Sequence, residues 1–207
     1  MLSIMGLLLA SLTGCGPSAG AFLYILDLYP SQKVPAQYKL PQGSYLVLVD
    51  DDKDLIRPTT ARDALVDEMA KRLSEHKISD KVTTNDEIAR LRQQEPKYDQ
   101  RGARELGELA HADMVIWIST LGYDLSPDLE MLVTPGKWAV AVKVLNVKAT
   151  QADQVRMWPT ERDGKVVDLE VSPHDLRKSK NIQEAHELMA SQMADEIAKL
   201  FYDQKLK

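Results

Sequence analysis

Two groups of residues could do chemistry in this chain. The first is a thiol. Cys15, the only cysteine, follows Leu12-Thr13-Gly14 at the end of an uncharged run over residues 2–14. A thiol is the most nucleophilic side chain near neutral pH, and so the one to which a lipid chain is most readily joined. Small residues before it let the chain lie extended in a peptidase cleft, and Gly16-Pro17 ends any helix. The second group is the carboxylates Asp50, Asp51 and Asp52, which follow the apolar run Tyr45–Val49. Hard cations prefer carboxylate oxygens. Ligands of α/β sheets gather at strand carboxyl ends, where these three residues are expected.

The pattern Leu12-Thr13-Gly14-Cys15 resembles the lipobox of bacterial lipoproteins. That resemblance implies cleavage before the cysteine, a diacylglycerol in thioether linkage to Cys15, and an acyl chain on its amine. Residues 1–14 are then a signal peptide, because the run is too short to cross a bilayer as a permanent helix. Two or more acyl chains hold a protein at a membrane where one barely does. Gly16 resembles the residue that follows the cysteine in outer-membrane-directed lipoproteins, so the expected place is the outer membrane, facing the periplasm. No other cofactor is expected.

The segment Leu46 to Leu55 resembles the first strand of response-regulator receiver domains, whose acidic residues bind Mg²⁺. The rest of that pattern is missing: Asp113 precedes the next strong apolar run, and Trp117 and Ile118 stand where a phospho-acceptor would be. Asp50, Asp51 and Asp52 are therefore read as a strand-terminating loop, with a metal-dependent binder or enzyme as the alternative. His76, His111, His174 and His186 have no metal-ligand spacing and are expected to be exposed or at helix ends. There is no Gly-x-Ser-x-Gly elbow and no phosphate-cradling glycine loop. Trp117, Trp138 and Trp158 fall on expected strands and are read as core or sheet-face residues. No catalytic residue is assigned.

Composition supports one globular body. Apolar residues make up 44% and charged residues 28%, as in ordinary soluble domains. A net charge of −5 and the lack of a basic stripe argue against a nucleic-acid partner. Without a second cysteine, no intrachain disulfide can form. Nothing after residue 28 approaches a membrane span.

The expected organisation is a signal peptide over 1–14, a lipidated tether and extended lead-in over 15–44, and one α/β domain over 45–207. Phe22–Leu26 is expected to be a short strand, and Pro30, Pro35 and Pro41 keep the lead-in extended. Strands are expected at 45–49, 78–82, 113–121, 137–147, 155–159 and 166–171, the last after an Asp163-Gly164 hairpin turn. Helices are expected after a Thr60/Asp63 cap, after a Thr84/Glu87 capping box, over 99–110 and over 181–202. The fold class is α/β (α+β): a mixed sheet of about five strands with helices packed on it.

In element order, residues 45–205 resemble the fold shared by the curli secretion-channel lipoprotein, the activators of penicillin-binding proteins and the anticodon-binding-domain-like amino-terminal domain of the Tol translocation protein. The likeness is carried by Arg104 to Ile116, a helix leading through Ala112-Asp113 into an apolar strand, and by Val144–Val147 with Val155–Trp158. Lys33 to Pro41 resembles uncharacterised lipoproteins of planctomycete-type bacteria. These resemblances imply no catalytic residue. They imply an anchored, non-catalytic lipoprotein that binds a cell-envelope protein in an assembly, secretion or cell-wall accessory role, or pairs with further copies of itself.

Overall fold

The computed structural model describes residues 33–129 and 133–205. The leader, Cys15 and the strand expected at Phe22–Leu26 lie outside them. Residues 35–204 form a compact unit.

That unit is a mixed sheet with helices on both faces. In chain order it comprises strand β1 (Tyr45–Asp50), helices α1 (Thr60–Glu75), α2 (Asn85–Gln94) and α3 (Ala103–Leu109), and strands β2 (Met114–Asp124) and β3 (Gly136–Asn146). A single turn α4 (Ala152–Val155), strands β4 (Arg156–Trp158) and β5 (Lys165–Val171), a short α5 (Pro173–Leu176) and the long α6 (Ile182–Ala198) complete it. β1 runs parallel to β2, and every other pairing is antiparallel. A mixed sheet of five strands is present, as expected, formed by five of the six segments read as strands over 45–171.

Register decides the core. Tyr45, Val47 and Val49 stand beside Met114, Ile116 and Ile118, which stand beside Asn146, Val144 and Val142. Apart from Asn146, all are buried. Against this face pack Leu65, Met69 and Leu73 of α1 and Met189, Met193 and Ile197 of α6, all fully enclosed. On the opposite face α3 covers only one end. There Leu106 and Gly107 sit over the sheet, and a Cβ added at Gly107 would lie 2.6 Å from both Val115 Cγ2 and Val147 Cγ2.

Local chemistry sets the element ends. Thr84 and Glu87 form the expected capping box of α2. Asn181 caps α6 by accepting from the Glu184 amide. Other expectations are corrected. The cap of α1 is Thr59, whose carbonyl takes the Arg62 and Asp63 amides with no side-chain cap bond. Residues 78–82 are no strand: Ser79 turns to bond the Gly43 carbonyl, and only Val82 bridges Tyr45. The expected helix 99–110 begins as a 3-10 turn at Tyr98–Gln100 and restarts at Gly102, the N-cap of α3. Asp163-Gly164 does turn the chain, with Gly164 at φ +95°, but β4 and β5 do not pair with each other. They take successive stretches of one edge of β3. Residues 35–44, expected in the tether, belong to the compact unit: Tyr38 donates its amide to Leu200 and stacks on Trp158, and Leu40 is buried.

Strand β2 runs past the expected end to Asp124, with a bulge between Thr120 and Gly122. The extra residue turns Tyr123 onto the helix-covered face, opposite Trp138. The Tyr123 hydroxyl meets Nδ1 of His186, and its ring packs edge-on against Trp138. His186, expected at the surface, is only 3% exposed. It lies on the same side of α6 as Ile182, Met189 and Met193, at three- and four-residue steps, and that apolar side faces inward.

Two predictions follow from this packing. Gly107→Ala forces α3 off the sheet and should cost about 1–3 kcal/mol in urea unfolding; an unchanged midpoint would refute the close approach. Burial lowers the His186 pKa below its ordinary 6.5, so the fold holds the neutral ring. Its contribution is complete above the unfolded pKa and is lost as pH falls from 6.5 through the lowered folded value. The Tm should therefore drop between about pH 7.5 and pH 5, with a shallower drop in His186→Gln. Equal slopes would reject the assignment.

Candidate functional site

The carboxyl end of β1 opens into a cleft of about 310 Å³, lined by the acidic cluster, α1 and the connection from α2 to α3. The parallel register brings Leu48 beside Trp117 and Asp50 beside Ser119. That places the Trp117 indole N–H 3.1 Å from Asp50 Oδ2, to which it donates. Trp117 is also covered by Lys143, whose Nζ lies 4.8 Å from the ring centroid. A half-exposed indole is thus held between a carboxylate and an ammonium.

The three aspartates have separate roles. Burial raises the Asp50 pKa; contact with Asp52 and the charge of Asp51 add to the rise, while the Trp117 hydrogen bond opposes it. Asp51 accepts the Leu55 and Ile56 amides at 2.9 and 2.8 Å, and so folds the loop that leads to α1. Asp52 is exposed, and Asp54 pairs with Arg57. Among the described residues, no group of three or more His, Cys, Asp or Glu side chains is arranged to hold a metal ion.

Facing the acids are residues that the sequence reading did not single out. Arg62 of α1 and Arg92 of α2 line the cleft, with Tyr98 from the 3-10 turn. The Arg92 guanidinium carbon sits 5.2 Å from the Tyr98 ring centroid. Tyr98 is 6% exposed, and neither its hydroxyl nor Arg62 Nε has a hydrogen-bond partner among the described residues. Burial raises the Tyr98 pKa, and Arg92 is the largest opposing influence. Arg101 is already paired with Glu95 and Glu105 at 3.2 and 3.6 Å. The signal for this wall was weak, because three positions spread over 37 residues converge only when α1 and α2 pack on β1.

A second polar cluster fastens the other end of the sheet. Asp113 accepts from the Ser44 amide and hydroxyl, returns its own amide to the Ser44 carbonyl, and pairs with Lys148. The Lys148 and Ser44 bonds hold its carboxyl near pKa 2. Of the remaining histidines, His76 caps α1 and stacks on Tyr202, while His111 and His174 are exposed.

Trp117→Phe removes the indole donor, so the Asp50 pKa should rise further. Carboxyl-detected NMR titration reads this directly, and an unchanged or lowered value would refute the Trp117–Asp50 bond.

The chain matches no protein-family model and no curated protein. Among solved structures it is similar to the PelC dodecamer from Paraburkholderia phytofirmans, at 10% identity and TM-score 0.44, over 84% of this chain and 99% of that one. It is similar to hypothetical protein CT253 from Chlamydia trachomatis at 18% identity and TM-score 0.43, over 75% and 93%. Lipoprotein GNA1162 from Neisseria meningitidis aligns at 12% identity and TM-score 0.41, over 62% of this chain and 81% of that one.

Proposed function

We propose that the protein is a lipid-anchored, non-catalytic lipoprotein. Cys15 carries a diacylglycerol and an amine-linked acyl chain, and the α/β unit binds another cell-envelope component, a further copy of the chain included. The observation that carries this reading is the setting of Cys15: a lone thiol directly behind small residues and an uncharged apolar run. Among the described residues no helix is long and apolar enough to cross a membrane, so the acyl chains would supply the attachment.

A binding role is supported by the sheet face that α3 leaves uncovered. Leu121 and Val166 are 47% and 48% exposed there, on the face that also carries partly buried Leu48, Trp117 and Ala139. A sheet face carrying apolar side chains at the surface suits contact with a partner. The alternative of a metal-dependent site gains nothing from the geometry, because Asp51 is committed to the loop backbone.

Metabolic labelling of the native host with a fatty-acid probe should mark the wild type and spare Cys15→Ala. Equal labelling of the two would overturn lipidation at this residue.

A further inference from the structure

The cleft contains an imbalance that the fold does not need. Arg62 has as its nearest carboxylate its own neighbour Asp63, 3.9 Å away, and its Nε is buried without a partner. Arg92 lies over the Tyr98 ring rather than on an acid. The Tyr98 hydroxyl, on a residue more than nine-tenths buried, makes no hydrogen bond of good geometry among the described residues, and Arg92 is the cation beside it. A buried polar group without a partner costs about 1–3 kcal/mol, so two such groups on one cavity, with the exposed Arg92 guanidinium beside them, mark a place where a polar ligand restores lost bonds. A second hollow of about 330 Å³ shares Leu48, Val49, Arg62 and Arg92 with the first. Each hollow lies at the lower end of the size range of small-ligand sites.

Charge selects the ligand. Arg101 is neutralised by Glu95 and Glu105, and Asp51 is occupied by backbone amides. That leaves Arg62 and Arg92 in a lining that also holds Asp50, Asp52 and Asp99, while the second hollow adds Asp63, Asp67 and Asp86 beside the same two arginines. Such a lining disfavours a dianion. It favours a molecule with one carboxylate and one ammonium.

We propose that this cleft binds a small zwitterion of the amino-acid or short-peptide class. Arg62 and Arg92 receive the carboxylate, the Tyr98 hydroxyl donates to it, and the ammonium lies toward Asp50 and Asp52. A planar guanidinium fork suits a carboxylate better than a point charge does. Trp117, on the same wall, gives the intervening carbons an apolar surface. The site does not depend on the lipid anchor, so its failure would leave the Cys15 reading untouched.

The test is calorimetry on the full-length protein in detergent micelles, with alanyl-alanine as the probe. Saturable binding is expected. N-acetylation of the probe or amidation of its carboxyl should each weaken it at least about tenfold. Tyr98→Phe and Arg92→Lys should each weaken it about five- to tenfold, since one loses a hydroxyl and the other a fork while keeping its charge. Asp168→Asn, on β5, should leave it unchanged. Thermal melts confirm that each variant folds. The proposal is overturned if no saturable heat appears up to about 10 mM dipeptide, if Tyr98→Phe and Arg92→Lys bind like wild type, or if inorganic phosphate binds more tightly than the dipeptide.

Discussion

The parallel register between β1 and β2 is the constraint on which the rest depends. These strands are joined by three helices rather than a tight turn, so no hairpin geometry sets their alignment. The alignment is fixed instead at one end, where Ser44 and Asp113 exchange backbone and side-chain hydrogen bonds. A slip of one residue would send Tyr45, Val47 and Val49 to the wrong face. It would also part Asp50 from Trp117, because both side chains reach the cleft only in this register. The clasp at the amino end of β1 thus determines the chemistry at its carboxyl end.

The two faces of the sheet serve different ends. On one, α1 and α6 bury a continuous core, and Arg72 bonds Glu75 and Asp195 at their seam with Ser191 nearby. Isolated surface ion pairs contribute about 0–1 kcal/mol each, so the apolar contact beneath them accounts for most of this packing. On the other, the short α3 lies against Val115 and Val147, brought close by the lack of a side chain at Gly107. The uncovered half carries Trp117 and Lys143, both partly buried.

The electrostatics are divided in the same way. Asp113 is stabilised as an anion by Lys148 and Ser44 and acts as a fastening. Asp50 is pushed toward its neutral form by burial and by its acidic neighbours, with one indole N–H in opposition. Carboxylates of one type are therefore held as an anion at one place and pushed toward the neutral acid at another, and the local partners and burial make the difference.

The sequence by itself determined the alternation of apolar runs that became β1, β2, β3 and β5, the capping box at Thr84 and Glu87, and the periodic stripe of α6. These are local properties, readable from spacing and side-chain type. It also placed the acidic cluster at a strand end, as the structure has it. Tertiary structure alone decided that residues 78–82 are not a strand, that β4 and β5 share one edge of β3, and that a bulge turns Tyr123 toward His186. It alone assembled Arg62, Arg92 and Tyr98. Their convergence depends on how α1 and α2 dock on β1, and no periodicity within a single element encodes the contact between two.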